Sequence, residues 1–290
     1  MNWFVLSLCI IIKLEVVWSY TDAALSDQVT TLPLLQGEID FNFFSGFIKV
    51  SGHKNLHYIY VESQNDPEND PLIYFTSGGP LCSGLVAFFT EFGPWRPVNR
   101  SLDISLELNP FSWNKMANLV FVEQPVGVGF SYSSTGQQDG TTLGDHATAL
   151  DNFRCLMLFL DRFPERKSNK LYLASEAYGG HIVPLLAEII LTSEIYSIVQ
   201  QLQGIIVANP FVSFGTGIIA RAHALWGYQL IPQRKWKSFV SSGCSSLTAA
   251  YDTYSVTCWE LLEEILTTPG PHLDYGKCVD VYVCWYLILM

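Results

Sequence analysis

The stretch best suited to chemistry lies at 170–187 and reads KLYLASEAYGGHIVPLLA. Alternating leucines that end in small residues predict a short buried strand, a Tyr-Gly-Gly turn follows, and an apolar helical pattern begins at Ile182. A strand, a sharp turn and a helix form the context in which a G-x-S-x-G sequence presents a serine nucleophile. Here Ala177 occupies the nucleophile's place and Ser175 that of the first glycine. The sequence therefore has the frame of a nucleophilic site without its reactive oxygen.

Ser175 is the nearest hydroxyl that could replace the absent nucleophile. It stands two residues earlier, at the end of the predicted strand. Its side chain would therefore point in a different direction from the side chain at the exposed elbow position. We expect no shifted nucleophile at this position.

Composition restricts the class of protein. The chain has 290 residues, of which 49% are hydrophobic and 15% charged, so it can bury one sizeable core or form one domain with an insertion. The net charge of −11 argues against a nucleic-acid partner, because phosphate binding requires clustered Lys and Arg. An acidic chain repels itself less at low pH, which is consistent with an acidic compartment.

The first residues have the pattern of a secretory signal. The apolar run Trp3–Ile12 is closed by small residues, and we expect residues 1–19 to form a signal peptide that is cleaved between Ser19 and Ala24. A buried N-terminal strand is the alternative. The run is shorter than the roughly 20 apolar residues of a spanning helix, so no membrane span is expected in the mature chain. Asn99 begins a glycosylation sequon in a predicted polar loop.

Six of the seven cysteines remain after removal of the signal, an even number that is compatible with disulfides in an oxidising compartment. Their connectivity cannot be read from the sequence, and Cys244 with Cys258 is one candidate pair within a helical segment. Cys278 and Cys284 have no histidine pair at ligand spacing. We therefore expect no metal site and no cofactor.

Apolar patterning predicts an α/β fold. Besides the strand before the turn, strands are expected at Phe41–Val50, Leu56–Val61, Leu72–Phe75, Leu119–Val122 and Gly204–Ala208. An apolar stripe from Leu143 to Leu160 predicts a helix, and Pro164 lies just past its end. Strands that alternate with helices imply a mostly parallel sheet covered on both faces.

Changes in this pattern predict the domain boundaries. We expect an α/β core over residues 25–215 and a helical cap over residues 216–270, within which Pro232 opens a helix at Gln233. Residues 271–290 end in an almost wholly apolar stretch. That stretch predicts a buried last strand, an aggregation-prone segment or a chain cut off within its fold.

Four segments resemble the serine carboxypeptidases, a family of secretory and lysosomal or vacuolar peptidases. FTSGGPLCSG at 75–84 is similar to the family's W-x-N-G-G-P-G-C-S turn, and FFTEFGPW at 88–95 to a segment that ends in E-x-G-P. NPFSWNKMANLVFVEQPVGVGFSYS at 109–133 and SEAYGGHIVP at 175–184 match two further family motifs, the second of which is G-E-S-Y-G-G-x-[YI]-[VI]-P. The resemblance implies an α/β-hydrolase fold with a mostly parallel central sheet and a helical cap insertion, here without its C-terminal strands.

The resemblance also assigns residues to a binding site. In the family, backbone N–H groups stabilise the oxyanion, and the matching positions are Gly79 and Tyr178. The substrate's C-terminal carboxylate would be held by Ser77, in the place of the family's asparagine, and by Glu91 and Glu176. Two close carboxyl groups share a proton, so the neutral one can donate to a carboxylate. Recognition of peptide C-termini at acidic pH is therefore implied.

The triad departs from the family's pattern. The family's serine is assisted by a histidine that an aspartate holds, and Ala177 replaces the serine. The aspartate and histidine of the family follow later strands, and we expect both to lie beyond the end of this chain. None of the six histidines has the sequence context of the family's catalytic histidine: His53 and His57 flank a hairpin, His181 begins a helix, His223 lies in an aromatic-rich helix, and His146 and His272 lie on the surface.

These observations predict a secreted, lysosomal or vacuolar serine carboxypeptidase homologue that has lost catalysis and whose partners are peptide C-termini. Two alternatives stay open. One is an active carboxypeptidase or acyltransferase on the same fold, and the other is a truncated product without function.

Overall fold

The computed structural model describes residues 20–100, 103–136, 144–213, 215–250 and 253–268. The predicted signal peptide, the apolar tail and His272 lie outside these residues. The chain divides into two compact units, Met1–Ser175 with Ile182–Ile206, and Glu176–His181 with Val207–Met290. The predicted boundaries of core and cap stay predictions.

The strands and helices are interspersed along the first unit, and the last three elements are all helices. In chain order they are α1 (Asp22–Ser26), β1 (Phe43–Lys49), β2 (Lys54–Val61), β3 (Leu72–Thr76), α2 (Gly84–Thr90), β4 (Trp95–Arg100), β5 (Asp103–Leu108), β6 (Asn118–Val122), β7 (Tyr132–Ser133), α3 (Asp145–Arg162), β8 (Leu171–Glu176), α4 (Gly179–Thr192), α5 (Tyr196–Gln201), β9 (Leu202–Ala208), α6 (Ala220–Gly227), α7 (Gln233–Ser241) and α8 (Val256–Thr267). Among the described residues no helix is both long enough and apolar enough to cross a bilayer.

One mixed sheet organises the first unit, with strand order β1-β2-β6-β3-β8-β9 and β7 beside β2. Strands β6, β3 and β8 run parallel, and β1, β2 and β6 are joined antiparallel. All residues of β3 and β6 are buried, as expected for strands covered on both faces. The predicted α/β class is confirmed.

Neighbouring residues of β1 anchor the two faces of this sheet, because successive side chains of a strand point to opposite sides. Phe43 stacks on Phe88 of α2, with ring centroids 6.0 Å apart. Phe44 meets Phe163, which follows α3, at 5.0 Å. Phe43 and Phe44 are both buried, so each face of the sheet has its own aromatic core.

The second unit has a helical core that contains a disulfide. Helices α6, α7 and α8 bury an apolar cluster that includes Leu225, Phe239 and Leu262. Cys244 and Cys258 are bonded at a Cα–Cα distance of 5.2 Å, which confirms the candidate pair. Helix α7 begins at Gln233, directly after Pro232, as the sequence predicts.

Two features of the first unit differ from expectation. The sequence predicts a polar loop at Asn99, but this residue lies in β4, and its backbone pairs with Ile104 of β5. The loop prediction is wrong because pairing with β5 places this polar segment in a strand, although its own residues form no apolar run. Strand β9 is present where expected, yet Ile205 and Ile206 are exposed.

Candidate active site

The turn between β8 and α4 has the backbone of a nucleophile elbow. Ala177 follows the last residue of β8 and adopts a φ of 47°. A left-handed conformation costs a residue with a Cβ about 1–2 kcal/mol, so surrounding contacts must hold it. Ala177 and its neighbours Glu176 and Tyr178 are half-buried, whereas Ser175 is 2% exposed. Burial of Ser175 agrees with the expectation that it does not replace the nucleophile.

Backbone hydrogen bonds fix this turn. The N–H of Ala177 donates to Ala208 O at 3.0 Å. Its carbonyl accepts from Phe211 N–H at 2.7 Å and from Gly180 N–H at 3.0 Å. Since both polar backbone groups of Ala177 are engaged, the elbow is anchored independently of the side chain at 177.

Gly180 allows the segment after β9 to approach the elbow. A Cβ at this position would lie 2.8 Å from Pro210 Cβ and 2.9 Å from Phe211 O, so only glycine fits. The rings of Tyr178 and His181 stack with centroids 4.9 Å apart, and Phe211 lies 5.5 Å from His181. An aromatic group of three side chains therefore adjoins the strained turn within the second unit.

The glycine turn after β3 lies in the first unit. Gly79 has a φ of +113°, and a Cβ there would lie 2.7 Å from Cys82 N. Ser77 is buried, and its carbonyl oxygen accepts a hydrogen bond from Gln124 Nε2 at 3.2 Å. The glycine at position 79 is thus required by the backbone, while its role as an oxyanion donor with Tyr178 stays a prediction.

Glu91 ends helix α2 and is exposed. Asn109 donates from Nδ2 to Glu91 O at 2.9 Å and to Gly93 O at 3.0 Å, so the asparagine fixes the backbone of the segment that carries Glu91. Glu176 is half-buried at the end of β8 and belongs to the other unit. The pairing of Glu91 with Glu176 stays a prediction.

The remaining asparagines of the 109–133 motif also hold backbone. Asn114 Nδ2 donates to Glu62 O at 3.2 Å, and Asn118 Nδ2 donates to Pro67 O at 3.0 Å. All three asparagines of the motif are buried. The buried side-chain amides donate hydrogen bonds to backbone carbonyls, so these asparagines of the motif stabilise the fold.

A buried polar chain in the first unit was not predicted. His57 Nδ1 lies 2.9 Å from Glu123 Oε2, and His57 Nε2 lies 3.0 Å from Ser45 Oγ. His57 lies in β2, inside the predicted strand Leu56–Val61, and its side chain is 5% exposed. No local spacing reveals the chain, since its members come from three separate segments.

Glu123 is the hub of this chain and is 1% exposed. Burial acts to raise the pKa of its carboxyl, but hydrogen bonds from His57, Ser83 Oγ and Phe130 N–H outweigh burial and lower the pKa below its ordinary value. The carboxylate is therefore ionised and fully engaged at neutral pH. Ser83 also caps α2, accepting from Leu85 N–H at 3.1 Å.

Among the described residues, no cluster of three or more His, Cys, Asp or Glu side chains has the arrangement of a metal site. His223 Nε2 lies 2.8 Å from Ser245 O, and its ring packs edge-on against Trp236 at 4.9 Å, as suits a structural histidine of the helical unit. His146 is exposed, as expected.

A family model described as serine carboxypeptidase matches residues 33–285. The mouse lysosomal protective protein is 34% identical over 256 residues, which cover 87% of this chain and 52% of that protein. Serine carboxypeptidase-like 45 of Arabidopsis thaliana is 33% identical over 291 residues, covering 98% of this chain and 62% of that protein. This chain thus spans about half to three-fifths of the length of these curated relatives.

Among solved structures, a prohormone-processing carboxypeptidase of Saccharomyces cerevisiae matches with a TM-score of 0.65. It shares 22% sequence identity, and the match covers 79% of this chain and 53% of that protein. At this identity the likeness concerns the fold alone. Together with the mixed sheet and the elbow, it confirms the predicted α/β-hydrolase fold.

Proposed function

Because the chain belongs to the serine carboxypeptidase family, we propose that it is a member without carboxypeptidase activity that binds peptide C-termini at acidic pH. One observation carries the proposal. The elbow keeps its strained backbone, with a φ of 47° at position 177, although the side chain there is a methyl group. A nucleophile's position has been retained without the nucleophile.

The absence of peptidase activity is inferred from the side chain at position 177. Acyl transfer in the family needs a hydroxyl oxygen at the elbow, and alanine supplies no atom that can attack a carbonyl. Ser175 does not substitute, since it is buried within β8. Oxyanion donors and binding contacts alone support only a small residual rate.

Binding is proposed for the residues that the family uses to hold a C-terminal carboxylate. Glu176 precedes the anchored elbow, and Glu91 follows α2 on a segment fixed by Asn109. If the two carboxyl groups share a proton, the neutral one can donate to the ligand's carboxylate. Affinity should then fall as pH rises, because two ionised carboxylates repel an anionic terminus.

We also propose that the protein follows the secretory pathway to the exterior or to an acidic lysosome or vacuole. The disulfide between Cys244 and Cys258 supports an oxidising compartment. One relative bears the name lysosomal protective protein, and the net charge of −11 suits an acidic lumen.

Isothermal titration calorimetry of short peptides near pH 5 tests the binding proposal. We expect heat with free C-terminal peptides, a loss with the C-terminal amides of the same peptides, and at least a tenfold loss of affinity in Glu176→Gln. Glu188→Gln, an exposed glutamate of α4, is the matched control and should change nothing. Equal heats for acid and amide, or no heat at millimolar peptide, would refute the proposal.

An active carboxypeptidase is the second candidate, and the intact elbow backbone favours it. Peptide hydrolysis by the unaltered chain would establish it directly. Ala177→Ser supplies the missing hydroxyl within the anchored turn. Under the first proposal, this variant releases no C-terminal amino acids from peptides. Turnover by the variant would show that the alanine at position 177 alone prevents catalysis.

A further inference from the structure

We propose that Ser45, His57 and Glu123 form a second nucleophilic site, separate from the elbow, that reacts with activated aryl esters. All three residues belong to the first unit. Ser45 lies on β1, His57 on β2, and Glu123 directly after β6. The hairpin register pairs Phe47 with His57, so Ser45 is the diagonal neighbour of His57 on the same face.

The distances meet the requirements for an activated serine. Ser45 Oγ lies 3.0 Å from His57 Nε2, and His57 Nδ1 lies 2.9 Å from Glu123 Oε2. A carboxylate only accepts hydrogen bonds, so the ring hydrogen belongs on Nδ1. In the neutral imidazole, Nε2 is then the acceptor of the Ser45 hydroxyl, which is the tautomer that a general base needs.

Glu123 is a positioning residue in this arrangement. Its two oxygens also accept hydrogen bonds from Ser83 Oγ and from Phe130 N–H at 2.8 Å, so it cannot rotate away from the imidazole. The His57 backbone N–H donates to Ser131 Oγ at 2.8 Å, and Ser131 Oγ donates to Glu123 O at 2.6 Å. Base and carboxylate are thus connected through both side chain and backbone.

The surroundings of the ring indicate the class of ester. His57 contacts Phe47 and Phe130, each with centroids 5.3 Å away, and Tyr132 packs on Phe47 at 5.3 Å. These three aromatic side chains are between 41% and 63% exposed, while Ser45 is half-buried beside them. An aryl leaving group can stack on exposed rings next to the hydroxyl.

The reaction is an ordinary two-step transfer. The Ser45 oxygen attacks the ester carbonyl, its proton moves to His57 Nε2, and the bond to the aryl oxygen breaks. The phenol leaves with the proton from His57. Water then attacks the acyl-serine with His57 as base, releasing a carboxylic acid and restoring the serine hydroxyl.

The amide of Ser45 sets a limit on the substrate, because it donates to Asp27 O at 2.9 Å and is not directed at an oxyanion. One lost oxyanion donor lowers the rate of an acyl transfer by about 10²–10³. Peptides and alkyl esters should therefore be inert, and only esters with a good leaving group should react.

Labelling of the full chain with a fluorophosphonate reagent, followed by peptide mass spectrometry, tests the site. Attack by the Ser45 oxygen on phosphorus expels fluoride, so we expect the label on the peptide that contains Ser45. Because the labelled residue is identified in the unaltered protein, this result does not depend on whether any variant folds. A p-nitrophenyl ester should be hydrolysed with the same dependence on Ser45.

Variants separate the roles of the three residues. Ser45→Ala should remove the label, His57→Gln should slow labelling by about a hundredfold or more, and Glu123→Gln should slow it while Glu123→Asp regains part of the rate. Ser26→Ala is the matched control, an exposed serine whose hydroxyl donates to Ala23 O. A label at any other residue, or an unlabelled Ser45 in folded protein, overturns the proposal.

Discussion

At the scale of single residues, Ala177 is the described alanine that holds a left-handed φ. Its backbone hydrogen bonds to Ala208, Gly180 and Phe211 maintain that conformation. A left-handed conformation at a residue with a Cβ lowers the stability of the fold, and glycine would remove this strain.

We therefore expect Ala177→Gly to stabilise the protein. The relieved strain is about 1–2 kcal/mol, and glycine's greater freedom in the unfolded chain returns about 0.4–1 kcal/mol of it. The free energy of unfolding, measured by urea denaturation, should rise by up to about 1.6 kcal/mol. Ala174→Gly, in the interior of β8, is the control and should destabilise by about 0.5–1 kcal/mol or more. A fall in stability with Ala177→Gly would contradict the strain argument.

The environment of Glu165 disfavours the ionised form of its carboxyl group. Its side chain is 8% exposed, neither carboxylate oxygen accepts a hydrogen bond from another described residue, and Arg166 Nε lies 3.9 Å away. Burial raises the pKa of Glu165 above its ordinary value, against the opposing effect of Arg166. A raised pKa in the folded state favours the neutral form.

Because the pKa of Glu165 is raised in the folded state, its contribution to the free energy of unfolding depends on pH. The contribution of Glu165 to stability is complete below the pKa of the unfolded chain and is lost as pH rises through the raised pKa of the folded protein. Glu165→Gln is neutral at every pH, so its stability relative to the original protein should be higher near pH 7 than near pH 4. Thermal melts at both pH values measure this, with the exposed Glu188→Gln as control. A constant difference between the two pH values would contradict the assignment.

At the scale of elements, the two outer strands of the sheet differ. The edge of β1 is covered, because Val29 N–H donates to Phe43 O at 2.8 Å and Ser45 N–H donates to Asp27 O. Among the described strands, β9 pairs only with β8, and Ile205 and Ile206 are exposed on it. An exposed apolar edge strand is a template for pairing with another chain.

Ile205→Lys should therefore reduce concentration-dependent aggregation, because a charged edge residue blocks pairing between chains. Ile205 is 44% exposed, so the change should cost little stability. Leu191→Lys provides the control: it adds the same charge at a 60% exposed position of helix α4 and should leave aggregation unchanged. Light scattering against protein concentration distinguishes the two. Equal effects of both variants would assign the change to net charge alone.

At the scale of the whole molecule, the features that the sequence predicts are those encoded by neighbouring residues. Strands β3, β6 and β8 are apolar runs bounded by turn residues, and α3 has one continuous apolar stripe. The hairpin of β4 and β5 was missed because its paired residues, such as Arg96 and Glu107, carry no apolar run. Such a pairing is decided by contacts across strands.

The candidate site residues also differ in whether neighbouring residues reveal them. Ala177 could be assigned from the sequence because a strand, a turn and a helix adjoin it. The chain of Ser45, His57 and Glu123 could not, since its members lie 12 and 66 residues apart and only the sheet brings them together. Glu123 was visible only as part of a motif, without a partner.

The disulfide allows the two compact units to be perturbed separately. It closes a loop of 14 residues within the helical core of the second unit. In the chain-entropy description, a loop of this length contributes about 3 kcal/mol. We expect the double variant Cys244→Ser with Cys258→Ser to speed amide exchange in α6 and α8 while β3 and β6 keep their protection, as measured by hydrogen exchange with mass spectrometry. Cys155→Ala, a buried thiol of α3, is the control and should act on the first unit instead. Equal deprotection of β3 and α8 by either variant would mean that the two units unfold as one.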